Sequence, residues 1–262
     1  MKNPRAPEKR QKRSKSDRYF LIEPLTASEG VVALGGSEFH HCVRVSRVRP
    51  GDVVKLLDGR GCTYEARMRR IGAREAWFDV ISCRTEREMP PVDIAIGIIK
   101  APRFDLAVEK CTELGVRRLI PFASERSVWR GGAAEAGRAV ARMRRKILAS
   151  CKQSGQPYFP GIDAPVGFEA LVERLGSYAA AFLAEQHCEE GAPARVSDAG
   201  NGPVLGIVGP EGGLTPGERA GLVAGGAVPV SLGPFRLRGE TAAICLAYRL
   251  MACLPRGYGN GG

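Results

Sequence analysis

One stretch restricts the fold more than any other: Val204-Leu205-Gly206-Ile207-Val208-Gly209-Pro210-Glu211-Gly212-Gly213-Leu214. Its first five residues are apolar and largely β-branched, with turn residues on both sides, which is the pattern of a buried strand. A proline among three glycines follows at 209–213 and fits neither a helix interior nor a central strand. Thr215-Pro216-Gly217-Glu218 then opens a helix, with Thr215 as N-cap, Pro216 at N1 and Glu218 at N3 closing a capping box. A buried strand that feeds a helix through a glycine loop belongs to an α/β architecture. In such folds the loops at the carboxyl ends of strands line the ligand crevice, and glycines let backbone approach the ligand.

The sequence on either side of this stretch repeats the alternation. Residues 92–99, 118–122, 179–184 and 227–232 read as strands, and 103–114, 133–153 and 240–253 as helices. The first of these helices places Phe104, Ala107, Val108, Cys111 and Leu114 on one stripe and stops at Gly115. The long second helix sets Ala136, Val140, Met143, Ile147 and Cys151 opposite Arg138, Arg142, Arg145 and Lys146. Strands alternating with helices predict a largely parallel sheet covered on both faces.

Before residue 84 the period is different. Short strands at 19–22, 53–57, 62–68 and 76–80 are separated by turns at Pro50-Gly51, Asp58-Gly59 and Gly72, with one short helix around 37–48. This predicts a small β-barrel. Residues 84–91 are charged and end in two prolines, as a linker would. The expected organisation is a basic disordered tail over 1–17, a barrel over 18–88, an α/β domain over 89–255 and a short tail over 256–262.

Charge separates these parts. The formal net charge is +11, and residues 1–18 carry eight Lys/Arg against Glu8 and Asp17, more than half of the excess. Such a tail either solubilises the chain or holds a polyanion such as RNA non-specifically. The eight cysteines are scattered without a CxxC pair and mostly lie in apolar contexts, so they read as reduced core residues of a cytoplasmic protein. Three histidines, His40, His41 and His187, give no metal-ligand spacing. No apolar segment is long enough for a membrane span, and no apolar h-region follows the basic N-terminus.

Three strand-end loops are candidates for one ligand site: Ala184-Glu185-Gln186, the glycine loop 209–214, and Leu232-Gly233-Pro234-Phe235-Arg236-Leu237-Arg238-Gly239-Glu240-Thr241. No GxxxxGK[ST] occurs and no GxGxxG follows the first strand of the unit, which argues against ATP hydrolysis and a dinucleotide cofactor.

Taken in order, several motifs resemble the SPOUT-class RNA methyltransferases, specifically the small-subunit (16S) ribosomal RNA uracil-N3-methyltransferases. They are His41-Cys42-Val43-Arg44-Val45-Ser46-Arg47 with Gly51-Asp52; Lys110-Cys111-Thr112-Glu113-Leu114-Gly115-Val116; Ser124-Glu125-Arg126-Ser127; Gly209-Pro210-Glu211-Gly212-Gly213; and Leu237-Arg238 with Glu240-Thr241-Ala242. The resemblance spans about residues 18–254. It implies a PUA-like N-terminal β-barrel followed by a C-terminal α/β domain with a deep trefoil knot, a homodimer, and S-adenosyl-L-methionine as cofactor.

On that resemblance the cofactor-binding residues would be Leu183, Ala184, Glu185, Gly209, Pro210, Glu211, Gly212, Gly213, Leu232, Gly233, Leu237, Arg238 and Thr241. A uracil N3 must lose its proton to become a nucleophile, so the site needs a base or a cation for the developing imide anion. Arg238 is the candidate cation, with Glu240 or Glu211 taking the proton or holding Arg238. Arg44, Arg47, Arg49, Lys100, Arg103, Arg126 and Arg236 are candidates for holding RNA phosphates. The partners implied are ribosomal RNA or the small ribosomal subunit, with no membrane and no metal. The family usually places its basic residue directly after Leu-Gly-Pro, where Phe235 stands here ahead of Arg236. A SPOUT enzyme acting on another base therefore stays open, as does a catalytically silent RNA-binding ribosome-assembly protein.

Overall fold

The computed structural model describes residues 18–23, 30–86, 89, 91–127, 132–186 and 202–253. The predicted basic tail, part of the expected linker, His187, Cys188 and the C-terminal tail lie outside these residues.

Two sheets form, as the change of period predicts. The first contains β1 (Tyr19–Leu21), β2 (Val31–Gly35), β3 (Val53–Leu57), β4 (Cys62–Ile71) and β5 (Glu75–Thr85) in the order β1-β3-β4-β5-β2. Only β1 and β3 run parallel. The expected barrel is a curled sheet whose end strands β1 and β2 do not pair with each other among the described residues. Both still close on one core, where Phe20, Val32 and Leu34 meet Leu56, Met68 and Phe78.

Three details depart from the sequence reading. Strand β2 alternates in burial but is only five residues long, and it has no counterpart in the predicted set. The predicted helix at 37–48 splits into α1 (Gly36–His40) and a π turn (His41–Val45), and Arg47 just beyond it has φ 53°. Strand β5 runs into the expected linker as far as Thr85, because Arg84 and Thr85 pair with Thr63 and Cys62.

The second sheet holds β6 (Val92–Gly97), β7 (Arg118–Ala123), β8 (Gly161–Ile162), β10 (Ala180–Glu185), β11 (Val204–Val208) and β12 (Ala227–Ser231). Their order is β12-β10-β11-β6-β7-β8, all parallel, and β9 (Val166–Gly167) also pairs with β7. Strands β6 and β11 are buried at every position, which accounts for their largely apolar runs, with Asp93 the single charge in β6. Helices α2 (Ala101–Glu113), α3 (Ala133–Ser154) and α6 (Gly239–Cys253) cover one face. Helices α4 (Phe168–Arg174) and α5 (Pro216–Ala224) cover the other, and α4 lies outside the predicted set.

Local chemistry sets the element ends. Gly115 takes φ 85° beyond α2 and Gly155 φ 75° at the α3 C-cap, both where a side chain would be strained. At the N-terminal edge of the sheet, Asp93 is 1% exposed and receives Arg117 Nε and Nη2 and the Tyr178 hydroxyl, each at 2.8 Å. A buried carboxylate satisfied by three donors costs far less than an unpaired one. Burial, then the Asp93 charge, raise Tyr178 above the usual phenol value.

The two sheets meet along α3. Lys152 Nζ lies 2.7 Å from Glu38 Oε1 of α1, and a Cβ on Gly59 would sit 2.3 Å from the Phe159 ring. No helix among the described residues is long and apolar enough to cross a membrane.

Candidate active site

The strand order turns three separate loops into one wall. From β6 the chain moves through β7 to β8 on one side, while β10, β11 and β12 build the other. Neighbours β6 and β11 therefore form a switch point, where the loops at their carboxyl ends diverge and leave a crevice. A cavity of about 440 Å³ opens there, within the usual range for a small-molecule site.

Most of the residues expected to hold a cofactor line it: Leu183, Ala184, Glu185, Gly209, Pro210, Glu211, Gly213, Leu232, Gly233, Leu237 and Arg238. Gly212 and Thr241 do not. Gly212 backs onto Arg126, whose Nη1 donates to the Gly212 carbonyl at 3.3 Å. Thr241 is exposed in the first turn of α6. Leu214, read from the sequence as apolar wall, is on the lining, as are Val208 and Ala242.

The glycine loop is held from several directions. Thr215 caps α5 as expected: Glu218 N donates to Thr215 Oγ1 at 3.2 Å and Thr215 N to Glu218 Oε2 at 2.8 Å. The other oxygen of Glu218 receives the Glu125 N–H at 2.8 Å, tying the loop after β7 to the same helix start. Beneath the loop lies Gly97, the last residue of β6. A Cβ there would stand 2.4 Å from Pro210 N and 2.6 Å from Pro210 Cδ. An isolated glycine in an apolar strand is the sequence signal for such close backbone approach.

The charged groups do not pair as the sequence reading expected. Arg103, read there as a phosphate contact, sits in the first turn of α2 and lines the cavity. Its Nη1 lies 2.8 Å from Glu211 Oε1, and its Nε lies 3.9 Å from Glu240 Oε1. Both glutamates thus converge on Arg103 and not on Arg238. The reason is topological: α2 follows β6, and β6 neighbours β11, so the α2 start meets the loop that carries Glu211.

Glu240 is nearly fully buried, and its Oε2 has no hydrogen-bond partner among the described residues. Arg238 is exposed on the cavity wall. Arg236 Nη2 reaches the Glu211 carbonyl at 3.4 Å, and Phe235 beside it is 80% exposed. Sequence reasoning also missed Arg219, whose Nε and Nη2 clasp Glu185 at 2.5 and 2.9 Å on the far side of the cavity.

Of the expected phosphate contacts, Arg103 and Arg236 line the cavity, Arg126 backs the glycine loop through the Gly212 carbonyl, and Lys100 occupies the N-cap position of α2 without a side-chain cap. Arg44, Arg47 and Arg49 are exposed around the π turn of the first sheet, away from the cavity lining. Burial pushes the thiols of Cys42, Cys111 and Cys151 up to about 12, so none of them is a thiolate nucleophile at neutral pH. No group of three or more His, Cys, Asp or Glu suited to a metal ion occurs among the described residues.

Comparison with known proteins identifies the family. The RNA methyltransferase domain model matches residues 86–251, and the RNA methyltransferase PUA domain model matches residues 34–81. A ribosomal RNA small subunit methyltransferase E from Mycobacterium bovis is 32% identical over 233 residues, 86% of this chain and 87% of that protein. One from Bacillus subtilis is 31% identical over 237 residues, 87% of this chain and 93% of that protein. The crystal structure of a ribosomal RNA small subunit methyltransferase E from Neisseria gonorrhoeae bound to S-adenosyl methionine matches with a TM-score of 0.80 at 26% identity, covering 90% of this chain and 97% of that one. With both domain models matched in order and relatives above 30% identity across most of its length, the chain belongs to the ribosomal RNA small subunit methyltransferase E family of RNA methyltransferases.

Proposed function

We propose that this protein transfers a methyl group from S-adenosyl-L-methionine to N3 of a uridine in small-subunit (16S) ribosomal RNA. The observation that carries the reading is the meeting of three strand-end loops with the Arg103–Glu211–Glu240 cluster at one cavity.

The cavity fits the cofactor. Its glycine backbone offers hydrogen-bonding groups, Leu183, Leu214, Leu232 and Leu237 offer apolar wall, and the sequence spells no GxxxxGK[ST] phosphate cradle. Bound there, S-adenosylmethionine supplies an electrophilic methyl carbon on a sulfonium. The remaining work belongs to side chains.

Glu211 lines the cavity and is the proton acceptor for uracil N3–H, held in aim by Arg103. Glu240 is buried behind Arg103 and holds it from the other side. Arg238 is on the same wall, with no side-chain partner among the described residues, and stabilises the negative charge that spreads over the uracil carbonyls. Glu211 would take the N3 proton and leave N3 as the nucleophile for the methyl carbon that the bound sulfonium would supply, the electron pair of the broken S–CH3 bond staying on sulfur. Excluding water and aligning nucleophile with methyl provide most of the acceleration.

The remaining assignments follow the same reading. Residues 18–88 form the RNA-holding domain and 89–255 the catalytic domain, the second with the deep trefoil knot of SPOUT enzymes. Two chains form a homodimer, and the protein acts in the cytoplasm on ribosomal RNA or the small subunit. The exposed Arg44, Arg47 and Arg49 contact phosphates from the first domain, supported by the π turn and the left-handed Arg47, features that cluster at functional sites.

The test is transfer from S-adenosylmethionine labelled in its methyl group into small subunits or free rRNA lacking the modification, followed by mass mapping. One methyl on uridine N3 is expected. A methyl on another base points to the alternative SPOUT activity, and no transfer with no cofactor binding points to a silent RNA-binding protein.

A further inference from the structure

Beside the active site lies a second cavity that the proposed chemistry leaves unused. It measures about 170 Å³ and opens between the loop after β6, the first turn of α2 and the middle of α3. Ile98, Ile99, Phe104, Met143, Pro121 and Pro165 give it apolar walls, and the charged residues on its lining are Lys100 and Arg142. Asp105, the nearest acid on α2, is paired with Arg142, with Oδ1 2.8 Å from Nη1.

Beside it runs a shallow, open groove along α3, lined by Arg138, Arg142 and Arg145 with Ala139 and Ala141. Ala139 and Arg142 line both spaces, so the two adjoin at α3.

Four of the cations of α3 fall into two rows. Arg142 and Lys146 face acids of α2, Asp105 and Glu109. Arg138 and Arg145 are exposed and have no carboxylate partner among the described residues. An exposed arginine row does not serve the fold, because the pairing across α2 and α3 is already made by the other row.

An apolar slot that opens onto unpaired arginines has a specific chemical complement. The ligand has a flat apolar body and a chain of negative charges beside it, which describes an unstacked nucleotide in a single strand. An apolar peptide would leave the arginines unmatched, and duplex phosphates alone would leave the slot empty.

Position strengthens the case. Lys100 lines this slot and Arg103 the active-site cavity, one helical turn apart at the start of α2. We infer that the slot between α2 and α3 receives a base flanking the methylated nucleotide, with the adjoining phosphates on Arg138 and Arg145. This rests on the methyl-transfer reading only in taking RNA as the ligand.

The test is fluorescence anisotropy of the full chain with a 5′-fluorescein hexauridylate and with a base-free ribose-phosphate hexamer, each over a salt series. Ala139→Phe fills the slot from a half-buried helix position. It should weaken hexauridylate binding about tenfold, the scale of one lost base-stacking contact, and leave the base-free hexamer within about twofold. Arg138→Ala with Arg145→Ala should reduce the slope of log K against log salt by about 1.4, from about 0.7 per single-strand phosphate.

Equal effects of Ala139→Phe on both probes, or none on either, would overturn the slot. If Ala139→Phe does not fold, the double arginine variant decides, and an unchanged slope counts against the groove. Titration of the wild type with S-adenosylmethionine keeps the readings apart: failure to bind rejects the methyltransferase, while normal binding with inert slot variants rejects the slot alone.

Discussion

Gly97→Ala isolates the dependence of the cofactor loop on the strand beneath it. Gly97 ends β6 opposite Phe122 of β7, in a backbone conformation that alanine can adopt, so the substitution adds only a Cβ. That carbon would meet Pro210 N at 2.4 Å, Pro210 Cδ at 2.6 Å and the Gly209 carbonyl carbon at 2.8 Å. Ordinary carbon contacts lie near 3.5–4.0 Å, so the loop must retreat by about 1 Å. Pro210 has a fixed φ and cannot swing aside alone. Overpacking of this kind costs about 1–3 kcal/mol, and at about 2–4 °C per kcal/mol for a chain of this size the melting temperature should fall by several degrees.

The same displacement moves the Glu211 segment, and each 1.4 kcal/mol lost from the bound state weakens S-adenosylmethionine about tenfold. Gly206→Ala is the matched control. Its Cβ would meet the side-chain tips of Ile94, Leu246 and Leu250 at 2.8, 2.9 and 3.0 Å, atoms that can yield. It should cost stability but leave cofactor affinity within about twofold. Calorimetric melting and isothermal titration read both quantities. A Gly97→Ala protein that melts and binds S-adenosylmethionine like the wild type would refute the claim that the loop rests on this glycine.

Four further outcomes are expected. Glu211→Gln should lower kcat about 10²–10³-fold, as loss of a general base does, with cofactor affinity preserved; turnover near wild type would move the proton acceptor elsewhere. Arg238→Ala should cost about 10²–10³-fold in kcat through loss of anion stabilisation, and single-turnover kinetics at saturating cofactor measure it. Thr215→Ala removes the α5 cap and should cost about 1 kcal/mol in urea unfolding, with the Glu125 tether retained through Glu218. Tyr178 titrates above its ordinary value of about 10, because it is buried beside Asp93. Its contribution is intact below that pH and is lost as pH rises toward the folded value, so the wild type should weaken above pH ~10; in Tyr178→Phe this alkaline loss should flatten while stability at neutral pH drops.

Several elements were legible because their causes are local. The apolar runs of β6 and β11 need no partner to be read as buried strands. The Thr215–Glu218 box closes within one helical turn and formed as read. The two glycine-containing loops that share the cavity were each marked by residues a plain turn does not require. Strand β2 and helix α4 went unread because five and seven residues offer too little periodicity.

What only tertiary structure decided is which distant groups meet. Arg103 sits on an amphipathic helix and reads as a phosphate contact until β11 is placed between β10 and β6. That order puts the α2 start against the Glu211 loop and brings Arg103 between two acids 108 and 137 residues away in sequence. Gly97 carries no chemistry of its own, and its importance comes from Pro210 lying against it. The split of α3 cations into a paired and an unpaired row likewise depends on where the acids of α2 fall. Local sequence determines caps, turns and buried runs because their interactions span a few residues; strand order and crossover geometry decide the pairing of charges, because these alone set which chain-distant side chains come within a few ångströms.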